Sequence, residues 1–287
     1  MRGVGPLNLS RRLPARQGMA RTALAVASLA LASAAGVPAQ GRDEPAATVQ
    51  WDLAAVQSGW CLDFLMHPDA SHRDLPRGLT AATASGVSGL HPAVDGLVQH
   101  QPEFQAWTPA ELCTVVAGRL TAADRQYERG DGGEPLILVW WVVSAVGQDG
   151  PANAVRYLGT NSSELRREMK SSLLDLERVK AKLEPIPDSE DRRLRLEFEG
   201  AVLFLDSHIT PDTIPVERDH SWHWIVSGSR KVLWSADASA APEVSGGVAG
   251  ALRIQGKRGL AAILADSPIR TFGPGFTGGS FSLLLSR

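Results

Sequence analysis

The sequence predicts an α+β fold: a mainly antiparallel, partly closed, barrel-like sheet with two principal flanking helices. Three observations predict it. Leu194, Leu196 and Phe198 alternate with Arg195, Glu197 and Glu199, the period of a strand with one buried and one wet face. Trp222, Trp224 and Val226 repeat that period, and Gly228 turns the chain toward Lys231-Val-Leu-Trp234, which reads as a hairpin. Two segments, Thr108-Pro-Ala-Glu111 and Asn161-Ser-Ser-Glu164, carry the side chains that open a helix.

From the start of the chain, residues 1–39 hold five arginines (Arg2, Arg11, Arg12, Arg16, Arg21) and no acid. Thr22 to Val37 is apolar and rich in small residues, and Val37-Pro-Ala39 fits a small-x-small cleavage signal. This is the pattern of a secretory signal peptide, with translation starting at Met1 or at Met19. The apolar run is shorter than the ~20 residues of a spanning helix. Export to the periplasm or beyond the cell is expected, with a flexible tail over 40–50 and one α+β domain over 51–287.

Of 29 basic and 31 acidic residues in the whole chain, loss of the leader leaves 24 against 31. The mature chain is acidic and has no dense basic run, which argues against nucleic acid and anionic membranes as partners. Cys61 and Cys113 are its two cysteines. An even pair in an exported chain reads as one disulfide with Cα atoms about 5–6 Å apart. Two cysteines alone do not make a structural zinc site, and no metal or cofactor is expected.

In the mature chain, Cys61 to Met66 reads as a strand, His67-Pro-Asp69 as a short helix or turn, and residues 78–91 as loop. Thr108 caps a helix that carries Leu112, Cys113, Val115, Val116 and Leu120. Gly130 to Gly133 is a turn. Leu136 to Val143 is apolar throughout and short, which fits a central strand covered on both faces. Asn161 caps a second helix, whose stripe of Leu165, Met169, Leu173, Leu176 and Leu183 faces the sheet. An Ala-rich loop is expected after Trp234, then a strand from Val248 to Ile254, a helix from Gly259 to Ala265, and strands at Ile269–Phe272 and Phe281–Leu285.

Candidate sites follow from residue types. Asp206 and His208 end one strand and His220 and His223 lie on another, so an acid/base cluster could form at a sheet edge. Residues three apart on a strand face opposite ways, so His220 and His223 do not share an ion. Trp222, Trp224 and Trp234 could line a ligand cavity. Gly273-Pro-Gly275-Phe-Thr-Gly278 spells a dinucleotide motif, but a strand follows it and the required downstream acid is missing. Lysine nucleophilic catalysis needs a depressed pKa. Of the five mature lysines, Lys231, beside Arg230, is the candidate.

Phe64-Leu-Met-His-Pro-Asp-Ala-Ser-His-Arg-Asp-Leu-Pro-Arg-Gly-Leu79 resembles the opening of acetoacetate decarboxylase-like proteins. There a strand runs into a short helix that ends in a Leu-Pro-x-Gly-Leu turn. The resemblance covers about 16 residues. It implies an antiparallel, barrel-like fold around an internal cavity. The lysine pair that forms the Schiff base in that family has no counterpart here. The expected function is therefore a non-enzymatic, exported binder of a small apolar or amphipathic ligand. The alternatives are a hydrolase- or lyase-like enzyme using the Asp/His cluster, and a structural or interaction protein of the envelope.

Overall fold

A computed structural model of the chain describes residues 48–73, 75–87, 92–148, 150–187, 192–209, 214–215, 220–227, 233–241, 244–246, 248–272, 275–277 and 280–286. The leader, Lys231 and the ends of the glycine motif lie outside the described residues.

The chain begins with β1 (Thr48–Met66), the one-turn helix α1 (Pro68–Ser71), β2 (Thr80–Ala81) and α2 (Pro92–His100). Next come β3 (Thr108–Ala122), β4 (Arg125–Tyr127), β5 (Leu136–Gly147), β6 (Gly150–Thr160) and α3 (Ser163–Ser171). They lead into β7 (Glu177–Arg178), β8 (Lys180–Pro185), β9 (Arg192–Phe198) and β10 (Ala201–Ile209). The later elements are β11 (Ile214–Pro215), β12 (His220–Ser227), β13 (Leu233–Ala241), β14 (Val244–Gly246) and β15 (Val248–Gln255). The last are α4 (Leu260–Asp266), β16 (Arg270–Phe272), β17 (Gly275–Thr277) and β18 (Ser280–Ser286).

Seven strands close on themselves in the order β1-β18-β13-β12-β6-β5-β3, because β3 also pairs with β1. Each neighbouring pair is antiparallel except β12 with β6. A parallel pair needs a crossover, and the segment between β6 and β12 supplies one that carries α3 and β8 to β10. β15, β10, β9 and β8 form a second, antiparallel sheet.

The sequence makes this barrel wall by placing apolar residues on both faces. One cluster takes residues from all seven ring strands, among them Trp51, Val115, Leu138, Val155, Trp224, Trp234 and Leu283, so it lines the barrel interior. The outward residues of β1, β3 and β5, such as Leu62, Leu112 and Trp141, pack against Leu194, Leu196 and Leu203 of the second sheet and Leu260 and Leu264 of α4. A third, small cluster packs Val94 and Val98 of α2 on Leu65. β1 can curl around the barrel because it is bulged: Ala55 has φ 52°, and the pairing with β3 shifts between Val56 and Ser58. Gly118 lies against this bulge, where a Cβ would sit 2.3 Å from the Ala55 carbonyl oxygen.

The structure corrects several expectations. Residues 108–122 are a strand, not a helix, so one of the two expected flanking helices does not exist. The capping pattern is outweighed because the segment is a wall buried on both faces, and its β-branched Thr114, Val115 and Val116 suit a pleat. The second helix ends at Ser171 rather than near Leu183. Leu173 takes φ 63°, the Leu174 amide donates back to the Met169 carbonyl, and the chain continues as strands. Ser162, not Asn161, is its cap, accepting from the Leu165 amide. Asn161 instead accepts from the Ile137 amide (2.9 Å) and donates to the Pro135 carbonyl (2.8 Å), tying the end of β6 to the start of β5. Leu165 and Met169 of α3 belong to the barrel core, where the Trp51 indole donates to the Met169 sulfur. The Ala-rich stretch after Trp234 is β13, a strand whose backbone pairs with β12 and β18. β1 starts at Thr48, inside the expected tail. Among the described residues no helix is long and apolar enough to cross a membrane.

Candidate functional site

The inner wall of the barrel holds the chemistry. Cys61 of β1 lies directly opposite Cys113 of β3, and the two form a disulfide with Cα atoms 4.1 Å apart. The separation is shorter than the 5–6 Å expected because both residues sit on paired strands rather than on a strand and a helix. Both pack with the barrel core. Two residues along the same strands, and so on the same face, Asp63 stands opposite Glu111. The next strand, β5, places Val142 beside Glu111 and Trp140 beside Cys113. Trp140 stacks on Phe281 with centroids 5.3 Å apart and lies 5.8 Å from Trp224. The interior thus runs from an aromatic band, through the disulfide, to a pair of carboxyl groups.

Burial is the larger cause, and the negative charge of Asp63 the second, of the rise in the Glu111 pKa from 4.5 to about 8. Glu111 therefore carries its proton at neutral pH. Its Oε1 lies 3.0 Å from Cys113 Sγ. A disulfide sulfur has no hydrogen, so the protonated carboxyl is the donor in this contact. Cys61, Glu111 and Cys113 could be taken for a metal centre, since their ligand atoms lie within 4.8 Å of one another. The disulfide leaves no thiolate to bind one.

The residues singled out from the sequence lie on strands of both sheets. Asp206 is held by the Arg193 guanidinium across the β9–β10 pair, which also keeps its carboxyl below the usual range. It belongs to the second sheet with His208, whereas His220 and His223 belong to the barrel strand β12. The exposed His223 Nδ1 lies 3.0 Å from Asp237 of β13. The side chains of His208, His220 and Trp222 lie outside the described residues. Trp224 and Trp234 are buried in the barrel core, and the Trp234 indole N–H has no acceptor among the described residues. Lys170, Lys180, Lys182 and Lys257 are all exposed, so none has the desolvated setting that lysine catalysis needs.

Glu111 and Asp63 were missed as a site. Glu111 reads as a capping residue beside Thr108, and Asp63 as an ordinary polar residue in a strand. The available signal was an acid inside each of two apolar runs, Ala110-Glu111-Leu112 and Leu62-Asp63-Phe64, each two residues from a cysteine.

No protein-family model matches this chain, and no curated protein sequence matches it. Solved structures do. MppR, an enduracididine biosynthesis enzyme complexed with pyruvate, is 13% identical with a TM-score of 0.48, over 87% of this chain and 92% of that one. Acetoacetate decarboxylase from Legionella pneumophila is 9% identical with a TM-score of 0.45, over 87% and 88%. An acetoacetate decarboxylase-like enzyme from Sphingomonas wittichii RW1 is 13% identical with a TM-score of 0.38, over 83% and 90%. The resemblance drawn from residues 64–79 therefore extends to most of the chain, as a resemblance of fold. The proteins it resembles are enzymes, which overturns the expectation of a non-enzymatic binder and the leaning against catalysis.

Proposed function

We propose that this chain is a lyase-like enzyme that moves a proton on a small carbonyl compound held in the barrel, with Glu111 and Asp63 as its acid and base. The observation that carries the reading is the pair itself: two carboxyl groups opposite each other on the inner wall, one of them protonated at neutral pH. Paired groups whose environments drive their pKa values apart divide the roles of acid and base. The Glu111 O–H donates to a carbonyl oxygen and polarises it. The Asp63 carboxylate takes the proton from the adjacent carbon as the enolate forms. Return of the proton, or loss of a neighbouring group, completes the reaction. Trp140, Trp224 and Phe281 supply an apolar wall for the carbon skeleton, and the Trp234 N–H is a spare donor for a polar atom.

The negative charge of Asp63 acts on Glu111, and a neutral ketone or aldehyde adds no further negative charge beside the pair. The disulfide supports a periplasmic or secreted location. The site takes over the lyase-like role first assigned to the Asp/His cluster.

The test is deuterium uptake from heavy water at carbon next to a carbonyl, followed by proton NMR. The substrates are acetone, butanone and propanal, with pyruvate, which the solved MppR holds, as the anionic contrast. The wild type is expected to catalyse exchange in a neutral compound. Glu111→Gln and Asp63→Asn are each expected to lose a factor of about 10² or more. No exchange in any compound, or exchange untouched by both substitutions, overturns the reading.

A further inference from the structure

The Glu111 contact points at a sulfur, which a carbonyl reaction does not require. Cys61 is partly accessible, whereas Cys113 is 1% exposed. A thiolate arriving from solvent therefore meets Cys61 first and expels Cys113 as the leaving group. A thiolate released at Cys113 would form in an apolar wall beside Trp140 and Val115, where an unpaired charge is costly. Among the described residues the acid in contact with that sulfur is Glu111, at 3.0 Å.

We propose that Cys61 and Cys113 are a redox-active pair that exchanges with small dithiols, Glu111 delivering the proton to the departing Cys113 sulfur. In the first step a dithiol thiolate bonds to Cys61 Sγ, the Cys61–Cys113 bond breaks, and the Glu111 proton passes to Cys113. In the second, the other sulfur of the dithiol, as a thiolate, attacks the mixed disulfide and Cys61 leaves as a thiolate that is protonated from water. The dithiol is oxidised to its cyclic disulfide, and the protein holds two thiols and an ionised Glu111. Asp63 of β1 is the charged group acting on Glu111 among the described residues; Val142 and Trp140, packed on it from β5, carry no charge. Its negative charge strengthens the tendency of Glu111 to hold a proton, and opposes the ionised state that reduction leaves behind.

Dithiothreitol is the probe, with thiols trapped by iodoacetamide and counted by intact mass. The folded wild type is expected to gain two alkylated thiols without unfolding. Its rate per dithiothreitol thiolate should fall as pH rises through about 8, where Glu111 loses its proton. Folded Glu111→Gln should react at least tenfold more slowly at pH 7 and lack that fall. Both proteins unfolded in urea should react alike. A disulfide that reacts only on unfolding overturns the proposal, as does an equal folded rate in the variant. If the variant does not fold, a wild-type rate per thiolate that is flat across pH 6–9 overturns it. No carbon substrate is present, so thiol exchange without deuterium uptake sinks only the proposed enzyme reaction, and the reverse result sinks only this one.

Discussion

Replacing Glu111 by Gln should stabilise the protein at neutral and alkaline pH. In the unfolded chain Glu111 ionises near 4.5, while in the folded barrel it holds its proton to about 8. The folded value is the higher one. Its contribution is therefore fully present below about pH 4.5 and is lost as pH rises through about 8. One pKa difference of one corresponds to about 1.4 kcal/mol. The wild type then gives up about 3 kcal/mol at pH 7 and about 5 kcal/mol above pH 9, relative to its stability at low pH. Glutamine has the shape of the protonated acid and does not titrate, so the variant escapes that loss. Urea unfolding of both proteins, unreduced, at steps from pH 4.5 to 9 measures the difference at each pH, in which the other titrating groups cancel. The two curves should meet within about 1 kcal/mol near pH 4.5 and separate upward for the variant, with unchanged m-values. Parallel curves, or a variant less stable at pH 8, would refute the burial of a protonated Glu111. A protein that keeps such a group sacrifices stability, as sites that need a perturbed acid do.

Asp63→Asn should lower the Glu111 titration midpoint without returning it to 4.5, because burial is the larger cause; the urea series repeated in that background checks it. Asn161→Ala leaves the Ile137 amide and the Pro135 carbonyl without their partner, and should cost about 2–3 kcal/mol in the same assay. Replacing both Cys61 and Cys113 by serine opens a 52-residue loop in the unfolded chain. That should cost about 4 kcal/mol in unreduced protein, and the thermal midpoint should fall with it.

Much of the sheet was legible. Strands with one wet face show their period, as in Leu194-Arg-Leu-Glu-Phe198 and Phe281-Ser-Leu-Leu-Leu285. The cysteine pairing was legible too, from count and compartment. What was hidden was the wall between two cores. β3 is buried on both faces over nearly its whole length, so its apolar residues have no period to read, and Thr108-Pro109 supplied a false start signal. β13 was hidden by its alanines and serines, which have no strand period to read, although its backbone pairs with β12 along its length. Glu111 fell with β3, because a residue placed on the first turn of a helix is not seen as facing Asp63 inside a barrel. Closure joins β1 to β3 across 14 paired positions, and that contact is set by the bulge at Ala55, which no local pattern announces.

The chemistry proposed for the barrel depends on Glu111 holding a proton at neutral pH. That protonation is tested most directly by carbon-13 NMR of the side-chain carboxyls in glutamate-labelled protein, titrated from pH 3 to 10, with Glu111→Gln to assign the signal. One glutamate resonance, missing from the variant, should titrate near 8. A Glu111 resonance that titrates at the ordinary value near 4.5 would contradict it.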